Sequence, residues 1–337
     1  MKRALLAGAV IALLTAGALV ARGPAATEAQ ATLLVDDDGA QCPNAFTTIQ
    51  AAVNAAAPGD TVHVCNGRYR EAVVIQKSLI LEGDVDTVVT TPGPVTANTT
   101  IITVQNATNV EIRNLVIGFP YYFAAETPTG QPDLSVETNG PKAPGIQFRG
   151  VVYTNAGGSI HDVNIARIRG AVDANGAPDP DMATQDSRSL VVNGGSSVQV
   201  FNLVTTDYGN VGVTVTGSGA SARIQGVQIE GFGNLLPESQ LVVQRGIEVR
   251  NGASAVILGN GLENNWHTGT QTRRAADIAL ENAAPSRVGG GFTMGEINLI
   301  AEAQVGLLIC GTNRFSHTIG FNFFTLNGQN QVNQATC

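Results

Sequence analysis

Apolar and polar positions alternate in short runs along most of this chain, and the runs recur. "IITVQNATNVEIRNLVIGF" begins at Ile101, "GIQFRGVVYTNAGGSIHDVNI" at Gly145 and "SLVVNGGSSVQVFNLVT" at Ser189. "GVTVTGSGASARIQGVQIEGF" begins at Gly212, "GIEVRNGASAVILGNGLENN" at Gly246 and "DIALENAAPSRVGGGF" at Asp277. Each unit reads as an alternating strand, a Gly/Asn/Ser turn, a second strand, a one-residue corner and a third strand. Asn114, Asp162, Asn202, Gly226 and the Gly259-Asn260 pair occupy the corner. A corner that tight calls for left-handed backbone, which Gly and Asn tolerate best. Asn side chains stacked there can also hydrogen-bond from one unit to the next.

One stretch departs from this pattern. In "TTIQAAVNAAAPGDTVHV", residues 47–64, Ile49, Ala52, Val53 and Ala56 recur at helical spacing. Thr47 and Gln50 read as a capping box, and Pro58-Gly59 stops the helix. The two patterns fit together. Strand units that cannot bury their apolar faces alone stack into a continuous core, and the open end of a stack exposes strand edges that need a cover. The prediction is an all-β, right-handed parallel β-helix with three-strand rungs of about 22 residues and an N-terminal capping helix. The expected cap is 46–60 and the rungs run over about 61–337, all in one domain, 32–337.

Spacing points to where a site would lie. From Ile102 to Ile146 is 44 residues and from Ile146 to Leu190 another 44; the next steps, ending at Val213, Ile247 and Ile278, are 23, 34 and 31. Against a bare rung, four steps carry insertions of roughly 22, 22, 12 and 9 residues, each after the third strand. These are Gly118–Pro144, Gly170–Ser187, Gly233–Arg245 and Trp266–Ala276. Loops at one corner of successive rungs rise together and wall a groove over the first-strand sheet. Tyr121, Tyr122 and Trp266 in those loops offer aromatic faces for sugar rings, or tuck their loops onto the solenoid. Gln147, Arg149, Glu248, Arg250 and Glu281 fall on outward floor positions, where Arg suits an acidic polysaccharide. The alternative for these charges is simple pairing along a solvated sheet face. Asp179, Asp181 and Asp186 in "PDPDMATQD" invite calcium, although the spacing of a fixed calcium loop is lacking and a solvated acidic loop explains them too.

Composition narrows the class. With 39 Gly, 5% aromatic and 14% charged residues, short stacked strands fit better than helical bundles. A net charge of −8 lacks the basic footprint of a nucleic-acid binder. Lys2 and Arg3, the apolar run Ala4 to Ala21 and Ala29-Gln30-Ala31 read as a signal peptide over 1–31, leaving no membrane span after cleavage. A retained anchor is the other reading. Four cysteines in an exported chain suggest two disulfides, and the local pairs Cys42–Cys65 and Cys310–Cys337 are favoured among three connectivities.

"FTTIQAAVNAAAPGDTVHVCNGRYREAVVIQKSLILEGD", residues 46–84, resembles the N-terminal cap and first rung of secreted pectin-lyase-like β-helix proteins. Pectinesterases and the copper-associated periplasmic NosD-type proteins carry similar segments. The resemblance implies a scaffold, because the Gln, Asp and Arg catalytic segments of pectinesterases, polygalacturonase Asp-Asp and Gly-His-Gly, and the pectate-lyase Trp-x-Asp-His pattern have no counterpart here. The resulting expectation is a secreted or cell-surface protein, a monomer, that binds a polysaccharide or cell-surface glycan without a recognisable catalytic site. A divergent polysaccharide lyase or glycoside hydrolase is the alternative, with Arg149, Glu248, Arg250 and His267 as catalytic candidates. A structural or adhesive surface protein is the third.

Overall fold

The computed structural model describes residues 30–119, 140, 141, 143–171, 178–234, 237–270, 272–291, 293 and 295–336. Its strands pair entirely in parallel within a coil that contributes one strand per turn to each of three sheets, a right-handed parallel β-helix. The first sheet runs from Val73–Ile75 through Thr99–Gln105, Gln147–Thr154, Asp186–Asn193, Val211–Thr216, Arg245–Arg250, Ala276–Glu281 and Val305–Cys310 to Gln329–Gln334. Second and third strands are continuous through the corner in Val110–Gly118, Gly157–Ala166 and Ser197–Thr206, and separate in later turns. Inward Val, Ile and Leu from all three sheets form one apolar core extending the length of the coil.

The corner column is as the sequence predicts. Asn114, Asp162 and Asn202 hold φ of 54°, 53° and 48°, and Gly226 and Gly259 hold 66° and 63°. Amides do link successive turns: Asn202 Nδ2 donates to Asp162 Oδ1 at 3.2 Å, Asn260 Nδ2 to Asn298 Oδ1 at 3.0 Å and Asn298 Nδ2 to Asn322 Oδ1 at 2.8 Å.

Register in the first sheet differs from the predicted one. Ile102 lies opposite Val151, not Ile146, and Val151 lies opposite Leu190. The cause is a bend in each first-sheet strand, where two consecutive residues face inward. Gly150, Ser189, Gly212, Gly246, Asp277 and Gly306 occupy the bend, a column that ladder pairing skips. Space there is tight: a Cβ on Gly246 would sit 2.6 Å from the Asp277 carbonyl oxygen and 3.0 Å from a Leu262 methyl. Strict alternation breaks at a bulge of this kind, so a period-2 reading slips.

The helix spans Ile49–Ala55 and buries Ile49, Ala52 and Val53 against the core end. Its cap is Thr48 rather than Thr47, with Oγ1 accepting from the Ala51 N–H at 3.2 Å. The predicted box partner Gln50 does something else. Glu71 accepts the Ile49 and Gln50 N–H groups at 2.7 and 2.9 Å, freeing the Gln50 amide to pair with both backbone groups of Val74. Gln50 thus serves as a one-residue strand that covers the first sheet's edge. The coil also starts earlier than predicted: Thr32–Val35 pairs with Thr61–Val64, ahead of the helix. Cys42–Cys65 is bonded as expected. Cys310 is disulfide-bonded too; its expected partner, Cys337, lies outside the described residues, as do residues 1–29 of the expected signal. No helix among the described residues is long and apolar enough to cross a membrane.

Candidate functional site: an arginine-rich sheet face

On the first sheet, Ile247 and Val249 enter the core, so Glu248 and Arg250 face away from it. Pairing places Arg149 beside Arg188, Arg188 beside Val211 and Val211 beside Arg245. The three arginines therefore share one outward column, next to the bend. A second column carries Thr214 beside Glu248, and a third carries Arg250 beside Glu281.

These groups form one network. Glu248 is fully buried and receives Arg188 Nη1 at 2.6 Å, Arg245 Nη1 at 2.9 Å and Arg273 Nη2 at 3.1 Å, while Arg250 Nε lies 3.3 Å away as an ion-pair contact without a hydrogen bond. Arg245 and Arg273 also reach Glu281, the latter at 2.9 Å. Asp186 holds Arg149 Nη2 at 2.5 Å and Arg188 Nε at 2.7 Å. Five guanidiniums thus meet three carboxylates, leaving two positive charges in surplus. Among the described residues Arg245 Nη2 has no hydrogen-bond partner. Arg250 and Arg273 keep 28% and 44% of their side chains exposed, so they are the cationic groups a ligand can reach.

The charge states follow from this geometry. Burial pushes the Glu248 carboxyl upward, but the Arg188, Arg245 and Arg250 guanidiniums outweigh it and hold it at about 2. At Asp186 burial is likewise outweighed by Arg188 and Arg149, and its carboxyl lies below the ordinary value. A carboxylate held ionised in this way is poorly placed to donate or take up a proton near neutral pH. Glu248 and Asp186 behave as counter-ions.

Described residues of the insertions and their flanks stand together along one edge. Gln185 Nε2 donates to the Pro141 carbonyl at 2.8 Å, Arg169 Nη1 meets Glu238 Oε1 at 2.8 Å, and the Thr268 N–H donates to the Ser239 carbonyl at 2.8 Å. Arg273 carries the last insertion across part of the floor. His267 is buried, its Nδ1–H donating to the Val242 carbonyl at 2.9 Å, which ties the fourth insertion to the third. Trp266 is half-buried, and its indole N–H donates to the Glu302 carbonyl on the next turn. Gln147 is exposed beside Asp186 in the ladder. Tyr121 and Tyr122 lie outside the described residues.

Asp179 accepts the Asp181 N–H at 2.9 Å at the head of a single 3₁₀ turn, Pro180–Thr184, while two arginines engage Asp186. Acidic groups converge elsewhere, at Asp36, Asp37 and Asp38, and His63 and Asp84 converge beside the disulfide-bonded Cys65. Asp36 there is occupied by four backbone N–H groups, those of Asp38, Gly39, Gln41 and Cys42, which makes the segment a turn.

Arg188, Arg245 and Arg273 are the members of the network that the sequence pattern missed. Correct register was the missing signal: once Val151 and Leu190 are aligned, Arg149 and Arg188 fall in one column. Arg245 looked like the end of an insertion, and the loop residue Arg273 has no pattern to reveal it.

No family model matches the sequence, and no curated protein matches it. Solved structures with similar architecture include a rice weevil pectin methyl esterase, at 13% identity and a TM-score of 0.42 over 86% of this chain and 87% of the esterase. An alginate lyase from Paenibacillus sp. aligns at 12% identity and 0.36 over 88% of this chain and 98% of the lyase. A lacto-N-biosidase of Eubacterium ramulus aligns at 9% identity and 0.42, over 87% of this chain and 60% of that protein. Likeness at this level carries no functional argument. The assignment of a parallel β-helix rests on this chain's own strand pairing.

Proposed function

We propose that this protein is exported and binds an acidic polysaccharide along the outer face of its first sheet, as a recognition protein rather than a catalyst. The observation that carries this reading is the surplus of guanidinium over carboxylate in a network otherwise closed on itself. Arg250 and Arg273 present exposed donors suited to uronate carboxylates or sulfate esters, because guanidinium matches planar or tetrahedral oxyanions with paired N–H groups. Two features support binding over turnover: Glu248 and Asp186 are held as counter-ions, and His267 is engaged in fixing loops.

The test is binding of the purified chain to a panel of uronic-acid, sulfated and neutral polysaccharides, with product release followed by reducing ends and by absorbance of unsaturated sugars. Acidic glycans are expected to bind, with affinity falling as salt rises. Replacing both Arg250 and Arg273 by Gln is expected to weaken binding about tenfold or more, with no products formed. Turnover abolished by Glu248→Ala or Arg250→Ala overturns the proposal in favour of a lyase or hydrolase. Failure to bind any glycan leaves a structural role.

A further inference from the structure

Beside the Cys42–Cys65 disulfide, metal-ligating side chains gather on the outer face of the second sheet. Val62 and Val64 enter the core, so alternation turns His63 and Cys65 the other way. On the next turn Leu81 enters the core and Glu82 faces outward beside His63 in the ladder. The Asp84 N–H donates to the Val64 carbonyl at 3.0 Å, which carries the pairing one step further and sets Asp84 beside Cys65. A ring nitrogen of His63, the Cys65 sulfur and a carboxylate oxygen of Asp84 all lie within 4.8 Å of one another. The fourth corner orients the first: Glu82 receives Arg113 Nη2 at 2.5 Å and stands 3.2 Å from His63 Nδ1. An ionised carboxylate only accepts, so the neutral ring carries its proton on Nδ1 and turns the Nε2 lone pair toward Asp84 Oδ1, 3.4 Å away. Two donors on a tetrahedral ion, each at about 2.1 Å, stand about 3.4 Å apart.

The disulfide keeps this set from closing on an ion, because the Cys65 sulfur is bonded to Cys42 and has no thiolate to offer. We propose that Cys42–Cys65 is the switch of a transition-metal site, and that opening it lets His63, Cys65 and Asp84 hold a divalent ion of the zinc class. A dithiol reductant supplies two electrons and two protons, so both sulfurs become thiols while the reductant is oxidised to its own disulfide. The ion then displaces the Cys65 thiol proton and takes the thiolate, the Nε2 lone pair and one Asp84 oxygen. Thiolate with imidazole and a single carboxylate suits zinc-like ions, whereas calcium and magnesium take oxygen donors. Three protein ligands leave a fourth position for water, and a cavity of about 580 Å³ lined by His63, Glu82, Asp84 and Asn114 gives the approach. The ligands stay in place without the disulfide, since Leu79–Gly83 is paired with Thr61–Val64 on one side and Val110–Gly118 on the other. The inference is independent of the polysaccharide reading, since it uses a different surface.

Cobalt(II) titrated into the full chain tests it, because a cobalt–thiolate bond gives a near-ultraviolet charge-transfer band that nitrogen and oxygen ligands do not. The oxidised parent is expected to show no band. Cys42→Ser frees the Cys65 thiol and leaves the disulfide at Cys310 in place, and it is expected to show the band at one ion per chain. Adding His63→Ala or Asp84→Ala to Cys42→Ser is expected to weaken binding about tenfold or more. Cys65→Ser, which leaves Cys42 as the free thiol, should show no band. A second measurement stands apart from the folding of these variants. In the parent reduced with a dithiol, zinc is expected to slow alkylation of Cys65 about tenfold or more, read by peptide mass, and to leave Cys310 unaffected. No band in folded Cys42→Ser, a band in the oxidised parent or in Cys65→Ser, binding unchanged by both alanine substitutions, or alkylation of Cys65 unchanged by zinc overturns the proposal.

Discussion

Asp277 stands in the strand-bend column that glycine mostly occupies, and its carboxyl is fully buried on the core side of the first sheet. Its Oδ1 accepts from Asn265 Nδ2 at 2.8 Å, Asn265 Oδ1 accepts from the Tyr208 hydroxyl at 2.5 Å, and among the described residues Asp277 Oδ2 has no hydrogen-bond donor within bonding geometry. Burial raises the carboxyl well above its ordinary value of 3.8, with no guanidinium beside it to reverse this as happens at Glu248. The folded state therefore binds a proton that the unfolded chain releases near pH 4. The stabilisation is fully present below that pH and is lost as pH rises through the folded-state pKa. Asp277→Asn keeps the acceptor for Asn265 and cannot ionise. Its melting temperature relative to the parent is expected to climb between pH 5 and pH 8, and a gap that stays constant with pH would refute this account. The contrast with Glu248 is instructive: both are fully buried acids, and neighbouring charge decides which is ionised.

At the scale of elements, the short helix owes its start to a residue outside it. Glu71, twenty-two positions on, accepts two of the first-turn N–H groups that Thr48 alone cannot satisfy. Glu71→Ala is expected to destabilise the chain by about 1 kcal/mol and to raise amide exchange in Ile49–Ala55 before the central rungs. Equal exchange along the whole coil after this substitution would show that the cap has no separate stability. The helix was legible from its apolar stripe and its Pro-Gly stop. Its cap was misplaced by one residue, because Thr47 and Thr48 are equivalent as sequence and only the Ala51 contact separates them.

For the whole molecule, stability is distributed along the coil, each turn holding its neighbours, and the ends are the weak points. Cys42–Cys65 closes a loop across the capped end, with a sequence separation of 23. Replacing both cysteines by Ser is expected to cost about 3 kcal/mol and to loosen the strand Thr32–Val35 and the helix first. Limited proteolysis checks this: early cuts should map before Thr61, and first cuts in the central rungs would contradict it.

The sequence by itself determined the architecture. Repeating strand units, an Asn/Gly corner and one amphipathic helix admit few ways of burying their apolar faces, so the rungs, the corner column and the N-terminal lid could be read before any coordinates. The tertiary structure decided register and charge. A bulge shifts two residues to one face at Gly150 and its equivalents, and pattern alone does not place a bulge. That shift moved Arg188 into the column of Arg149 and turned separate charges into a single network. Burial then settled their chemistry, because ionisation depends on the distance to partners from other turns. Arg188 and Glu248 are 60 positions apart in the chain and 2.6 Å apart in the fold.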